Sequence, residues 1–229
     1  MGKNDKSYEN NGHYDSFNLA KHVNDRANTV TQNRQQLVQE LDLLRQPWWL
    51  EQIHSTKVVE QRGSNYHDQI VHADGSYTSE CNRVCVVMTA DCLPILFCDR
   101  SATWVAATHA GWRGLVDGII EQTISSYKDD SSNLIAWLGP AISQKYFEVG
   151  AEVREMFTDK NSDFIDDFES SGEGKFKCDL YSIARKILAT YSIETYGGDR
   201  CTFAERNSFY SYRRDGETGR MASLIWIEK

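Results

Sequence analysis

Apolar residues recur at helical spacing at Val30, Leu37, Val38, Leu41 and Leu44, amid Gln, Arg and Glu. That spacing predicts an amphipathic surface helix over 29–44, ended before Pro47. Beyond it the runs become strand-like. Residues 48–59 read as a strand with His54 near its middle, 63–67 as a turn and 69–73 as another strand. The Val- and Cys-rich run 83–89 and the run 93–98 are both apolar, and 103–108 reads as a short buried strand. A helix over 115–127 follows, with Leu115, Ile119, Ile120, Thr123, Ile124 and Tyr127 on one face. Residues 133–138 are strand-like again, and Gly139-Pro140 stops them. A helix fits 147–158, the acidic, Gly- and Ser-bearing stretch 159–175 reads as a long loop, and 180–191 forms a helix with the stripe Leu180, Ile183, Ala184, Ile187, Leu188. A strand over 221–227 closes the chain. With no internal repeat and no clean linker, the expectation is a single mixed α/β (α+β) catalytic domain over 13–229 behind a frayed polar segment, 1–12.

Composition narrows the function classes. The 229 residues are 40% hydrophobic, enough for a real core, and carry a net charge of −8. That acidity argues against a nucleic acid or an anionic membrane as partner, while a small anion in a locally basic pocket stays open. No apolar run reaches membrane-spanning length, since Asp91 interrupts 84–98. The opening MGKNDKSYEN lacks the apolar stretch of an export signal, so the six cysteines are expected to be reduced thiols and the compartment cytoplasmic.

The stretch ADCLPILFCDRSATWVAATHAGWRG, 90–114, holds the candidate chemistry. Pro94 bars an ordinary central strand at that point, so Cys92 is expected where a strand ends. His109 closes another strand, followed by Ala-Gly-Trp-Arg-Gly and a helix: a sharp turn whose glycines let the backbone approach a ligand and whose helix start offers N–H groups to an anion. A thiolate and an imidazole on neighbouring strand ends make a plausible pair of metal ligands. The bland alternatives stand beside this: glycines that only shape a turn, and a satisfied structural Cys or His. Cys81-x-x-x-Cys85 is better explained by buried strand cysteines than by a zinc finger.

The blocks NLAKHVND, WLEQIHS, TADCLPILFCD, ATHAGWRGL, WLGPAIS, YFEVG, CDLYSIARKIL and FYSYRRDGETGRMASLIW occur in order between residues 14 and 227. In these the chain resembles the family first labelled polyphenol oxidase or laccase-like, and later described as purine nucleoside phosphorylases with adenosine deaminase activity. The resemblance implies zinc on His54, Cys92 and His109, leaving a fourth position open as in catalytic zinc sites. It also implies a mixed α/β sandwich shared with the catalytic domain of cytotoxic necrotizing toxins, the fold of a toxin-type cysteine hydrolase. Small departures are Ile53 for Val, Asn24 where Gly is common, and His72 before the Ala-Asp-Gly block.

Phosphorolysis needs a nucleoside and an oriented phosphate in one pocket. Candidate anion contacts are Arg113, beside His109, and Arg213 and Arg214, which alternatively flank a hairpin turn at Asp215-Gly216 and face solvent. Asn18, Asp74 and Asp91 are candidates for ribose contacts or for orienting the ligands. Two other enzyme classes remain. Two His and a Cys could hold copper as in a phenol oxidase, although a trinuclear cluster needs more histidines than His13, His22, His67 and His72 comfortably supply. A hydrolase or amidase on cell-wall precursors would use Cys92 as nucleophile and His109 as base. The expected partners are a small-molecule nucleoside and phosphate, with no nucleic acid or membrane, and the expected state is a monomer.

Overall fold

A short run of small and β-branched residues becomes the centre of the fold. In the computed structural model, which describes residues 12–14, 16–63 and 70–228, Val105–Ala110 forms a strand buried along its whole length. Together with Val58–Glu60 (β1), Gly75–Thr78 (β2), Val84–Thr89 (β3) and Leu93–Asp99 (β4) before it, this strand is β5. Leu134–Leu138 (β6) and Glu194–Gly197 (β10) complete a six-stranded mixed sheet in the order β1-β2-β5-β4-β6-β10.

Both faces of β5 are covered, so all six of its residues are buried, the polar Thr108 and His109 among them, rather than every second one. On one face Val105 and Ala107 meet Cys85 and Val87 of β3 and Ile227. There β3 pairs antiparallel with Met221–Trp226 (β11) in a separate two-stranded sheet. On the other face Ala106 and Ala110 join the main core with helices Trp112–Asp117 (α2), Ile119–Ser125 (α3) and Leu180–Thr190 (α5). A third sheet, in the order β7-β9-β8, is built from Glu148–Gly150 (β7), Phe168–Gly172 (β8) and Lys175–Cys178 (β9), beside the helix Ala151–Lys160 (α4). The helix Ala27–Glu40 (α1) packs through Val30 and Leu37, and Tyr212–Asp215 (α6) is a single turn. The mixed α and β class expected from the sequence is borne out.

Several expectations shift, each for a physical reason. The helix expected over 115–127 starts at Trp112 and is split at Gly118, whose left-handed φ of +100° ends α2 and restarts the chain as α3. The strand expected over 48–59 survives only at its end as β1. The rest wraps irregularly, tied by Glu51 N–H to the Val71 carbonyl at 2.9 Å, with a single bridge Glu51–His72. That bridge is also all that remains of the strand expected over 69–73 within 70–73. Pro94 does lie inside a strand, but at its second residue, one before the pairing with β6 begins at Ile95, so no ladder bond is lost on that side.

The loop expected over 159–175 is instead a 3-10 turn, Ser162–Asp167, running into β8 and β9. Phe164 and Phe168 bury against Phe157 and pull it onto the core. The helix expected from 147 starts at Ala151 because 148–150 pair with β9. The hairpin at Asp215-Gly216 is α6. Residues 1–11 of the expected frayed segment, 64–67 of the expected turn and 69 of the expected strand lie outside the described residues. Among the described residues no helix is long and apolar enough to cross a membrane.

Candidate metal centre

Antiparallel pairing sets Gly75 of β2 opposite Thr108 of β5, so Asp74, one residue earlier, lies beside His109. Asp74 is fully buried, and its carboxylate organises two of the three candidate ligands. Oδ1 lies 2.8 Å from His109 Nδ1 and accepts the His54 backbone N–H at 2.9 Å. Oδ2 accepts Ser55 N–H at 2.6 Å, the Ser55 hydroxyl at 2.7 Å and Ile53 N–H at 3.3 Å. Wrapped this way, His54 sits at a left-handed φ of +58°. A non-glycine residue there costs about 1–2 kcal/mol, and the three N–H bonds hold it in place. His109 is 4% exposed, and with Nδ1 engaged by Asp74 it presents Nε2 to the site.

Cys92 is set by a second strained residue. Asp91, between β3 and β4, is buried with φ +101°. Its side chain accepts the Thr202 hydroxyl and the Arg213 N–H, both at 2.6 Å, and its carbonyl accepts Ile142 N–H at 2.9 Å. The turn that aims the thiol is thereby pinned from three distant segments.

The Cys92 Sγ lies 3.9 Å from His54 Nε2, the rings of His54 and His109 are 4.8 Å apart, and the ligand atoms of all three residues fall within 4.8 Å of one another. A tetrahedral zinc, with Zn–S about 2.3 Å and Zn–N about 2.0–2.1 Å, holds such atoms about 3.3–3.6 Å apart. Small side-chain rotations therefore bring the three onto one ion. Gly111 makes room for them: a Cβ there would stand 3.1 Å from Cys92 Sγ and 3.2 Å from His54 Cδ2. The close approach expected of the glycine turn is real, and what approaches is the ligand set itself.

Electrostatics favours the ligating form of the thiol. Burial pushes the Cys92 thiol up, but the His109 and His54 imidazoles outweigh it and bring it below its ordinary value. Burial likewise opposes charging of His109, and the Cys92 thiolate and Asp74 overcome it, raising the imidazole. Asp74 is held below the usual carboxylate range because bonds from His109 and Ser55 outweigh its desolvation.

Residues 6–228 match the family model described as multi-copper polyphenol oxidoreductase laccase. The chain belongs to that family. Among curated relatives, Purine nucleoside phosphorylase YfiH of Escherichia coli (strain K12) is 48% identical over 93% of this chain and 87% of its own length. Purine nucleoside phosphorylase of Haemophilus influenzae is 47% identical over 94% of this chain and 88% of its own. The crystal structure of a Neisseria meningitidis protein superposes with a TM-score of 0.91 at 46% identity, covering 98% of this chain and 91% of that one.

Around the centre of this laccase-family chain, the other residues singled out from sequence fall into different roles. Asn18 is fully buried and has no polar atom to spare: Nδ2 donates to the Ala20 carbonyl and Asp25, while Oδ1 accepts Ala20 and Arg220 N–H. Arg214 is equally committed, to Asp215 and to the carbonyls of Thr202, Phe203 and Phe209. Its solvent-facing alternative is thereby excluded, its side chain being 6% exposed. Arg213 donates to the Glu148 carbonyl at 2.8 Å beside Phe147, and Arg113 is exposed over Trp112. Asp74 and Asp91 hold the backbone and side chains around the candidate ligands, and their carboxylate oxygens are occupied. His72 stands outside the triad, 3.7 Å from Glu51, and all six cysteines are free thiols. Among the described residues no second group of three His, Cys, Asp or Glu side chains is placed to hold a metal.

Proposed function

We propose that the chain is a zinc-dependent purine nucleoside phosphorylase, converting a purine nucleoside and phosphate into the base and ribose 1-phosphate. The convergence of His54, Cys92 and His109 within 4.8 Å carries the reading, and the names of the curated relatives support the substrate class. Two imidazoles and a thiolate suit zinc better than an oxygen-loving cation, although copper also accepts this donor set. When bound, the ion would supply Lewis acidity toward a phosphate oxygen or a water.

The chain's own residues supply the positioning. Asp74 orients His109 and the 53–55 turn, Asp91 holds the turn of Cys92, and Gly111 leaves the space they share. In phosphorolysis a phosphate oxygen bonds to C1′ as the C1′–N9 bond breaks, and the bonding pair leaves with the base, which takes up a proton. The same open position would accommodate the deaminase activity implied by the resemblance, with water replacing the adenosine amine as ammonia departs. Incubating adenosine with phosphate separates the two reactions: adenine signals phosphorolysis, inosine deamination. The proposal takes the chain as a cytoplasmic monomer with its catalytic domain over 13–229, and a dimer mass in sedimentation would correct the oligomeric state.

One observation favours a second reading. Cys92, His109 and Asp74 stand in the order of a nucleophile, base and orienting carboxylate, with 2.8 Å between Asp74 and His109. His54→Ala separates the two. The zinc enzyme is expected to lose bound metal, by elemental analysis, and phosphorolysis together, whereas a cysteine hydrolase keeps thiol-dependent turnover. A His54→Ala protein that cleaves nucleosides at the wild-type rate without metal overturns the proposal.

A further inference from the structure

Among the described residues, a single side chain ties the segment that carries His54 to the strand that leads to Cys92. Gln52, separated from His54 by Ile53 alone, turns its amide onto β3. Nε2 donates to the Met88 carbonyl at 2.8 Å, and Oε1 accepts the Met88 N–H at 2.7 Å. Met88 is 5% exposed and stands next to the last residue of β3, from which the chain runs through Ala90 and Asp91 to Cys92. Besides the 3.9 Å contact between Cys92 Sγ and His54 Nε2, these are the only hydrogen bonds among the described residues that join 51–55 to 84–92. On its other side the same segment is held by 71–74. Glu51 N–H donates to the Val71 carbonyl, Ala73 N–H donates to the Glu51 carbonyl at 3.2 Å, and the Asp74 carboxylate accepts from 53–55.

Exchanging both an N–H and a C=O bond with one residue is what a neighbouring antiparallel strand does at its closely spaced pairs. On this edge β3 has no such neighbour, since its one partner strand, β11, lies on the other side. A lone amide completes the edge at Met88 instead. Gln61 does the same at the far end, donating to the Val84 carbonyl at 3.2 Å and to Ser76 Oγ at 3.0 Å. Both glutamines cap one strand edge, but only Gln52 belongs to a segment bearing a candidate ligand.

The three candidate ligands are thus linked in pairs. Asp74 joins His54 to His109, and the pairing of Leu93 with Ala110 joins the start of β4, beside Cys92, to the end of β5, beside His109. The clasp of Gln52 on Met88 is the remaining side of the triangle. We infer that Gln52 is a positioning residue of the metal centre, its amide setting the distance from His54 to Cys92. Without the clasp, 51–55 stays attached to 71–74 but is released from β3, and His54 moves away from the thiol. Leucine in its place fills the space and makes neither bond. Glutamate keeps an acceptor for the Met88 N–H and sets a second oxygen against the Met88 carbonyl. The inference rests on the metal-centre reading for its consequence, but not for the coupling of the two segments.

Zinc affinity is measured by chelator competition on wild type, Gln52→Leu, Gln52→Glu and Gln61→Leu. Both leucine variants are expected to melt several degrees lower as metal-free protein, since each strands backbone groups of a buried residue, Met88 or Val84. Only the Gln52 variants should lose zinc affinity, roughly 10–100-fold, with Gln61→Leu within about twofold of wild type. Amide hydrogen exchange of metal-free protein reads the coupling with no ion present: the His54 and Ser55 N–H groups should exchange faster in the Gln52 variants and not in Gln61→Leu. A wild type that binds no zinc, together with that exchange pattern, keeps the coupling and removes the zinc reading. The same wild type with His54 and Ser55 exchange unchanged in the Gln52 variants overturns the coupling. Zinc affinity equal to wild type in a natively melting Gln52→Glu also overturns it, and does so even if Gln52→Leu fails to fold.

Discussion

Replacing Asp74 by Asn changes one oxygen for an amide in a fully buried pocket, and the contacts on the page set the cost. If the amide takes the place of Oδ2, it points donors at the N–H groups of Ile53 and Ser55, which then lack an acceptor. If it takes the place of Oδ1, the His54 N–H is orphaned. His109 must then offer Nδ1 as acceptor, turning a proton on Nε2 toward the site and away from ligation. Each orphaned buried donor costs about 1–3 kcal/mol, and the charge-assisted bonds that remain weaken to neutral ones. The expected loss is about 3–5 kcal/mol, within the 5–15 kcal/mol or so a domain has in hand, so the variant folds. Thermal melts of metal-free protein should fall by about 6–20 °C. Chelator competition should show metal affinity lowered about 10–100-fold through the misaligned His54 and His109. Melting and metal affinity indistinguishable from wild type would refute the claim that this carboxylate organises the centre.

The pH dependence follows with a definite sign. The folded value of Asp74 lies below its unfolded one, so its contribution is present above about pH 4 and lost as pH falls through the lowered value. His109 in the metal-free protein is raised, so its contribution is present below about pH 6.5 and lost as pH climbs through the raised value. Asp74→Asn should flatten the acid limb of a melting-temperature profile and reduce the alkaline one, since His109 loses its charged partner. An unchanged acid limb would contradict the assignment.

Two further variants probe the supports separately. Gly111→Ala should keep the fold but push Cys92 and His54 apart, and a chelator should strip metal about 10–100-fold more readily; retention equal to wild type would mean the crowding at 3.1 and 3.2 Å is relieved elsewhere. Arg214→Gln should cost about 3–5 kcal/mol in denaturant unfolding, because it breaks a buried pair and strands the Thr202, Phe203 and Phe209 carbonyls. It should leave the ratio of KM values for phosphate and nucleoside unchanged, and a selective rise in the phosphate KM would return Arg214 to the site.

What could be read in advance follows from the range over which each residue is determined. β3, β4 and β5 were legible because burial on both faces leaves few polar positions, and β6 and β11, only partly buried, were legible from their own apolar runs. The stripe from Leu115 to Ile124 was also visible, yet it hid the break at Gly118, since α3 buries the same face that a continuous helix would. Phe164 and Phe168 were too isolated among Asp, Glu and Ser to betray β8. His54 was expected mid-strand because nothing near it announces that three consecutive N–H groups will close on a carboxylate some twenty residues later. The candidate ligands came from a resemblance carried by motifs, and the motifs say which side chains meet without saying what holds them. The holding is done by Asp74, Asp91 and Gly111, none of them a ligand, and by backbone conformations at 54 and 91 that a non-glycine residue adopts only under constraint. A relative could therefore keep both histidines and the cysteine and still lose the centre by changing Asp74 alone, whereas one that kept the three supports would still bring whatever stood at 54, 92 and 109 to a common point.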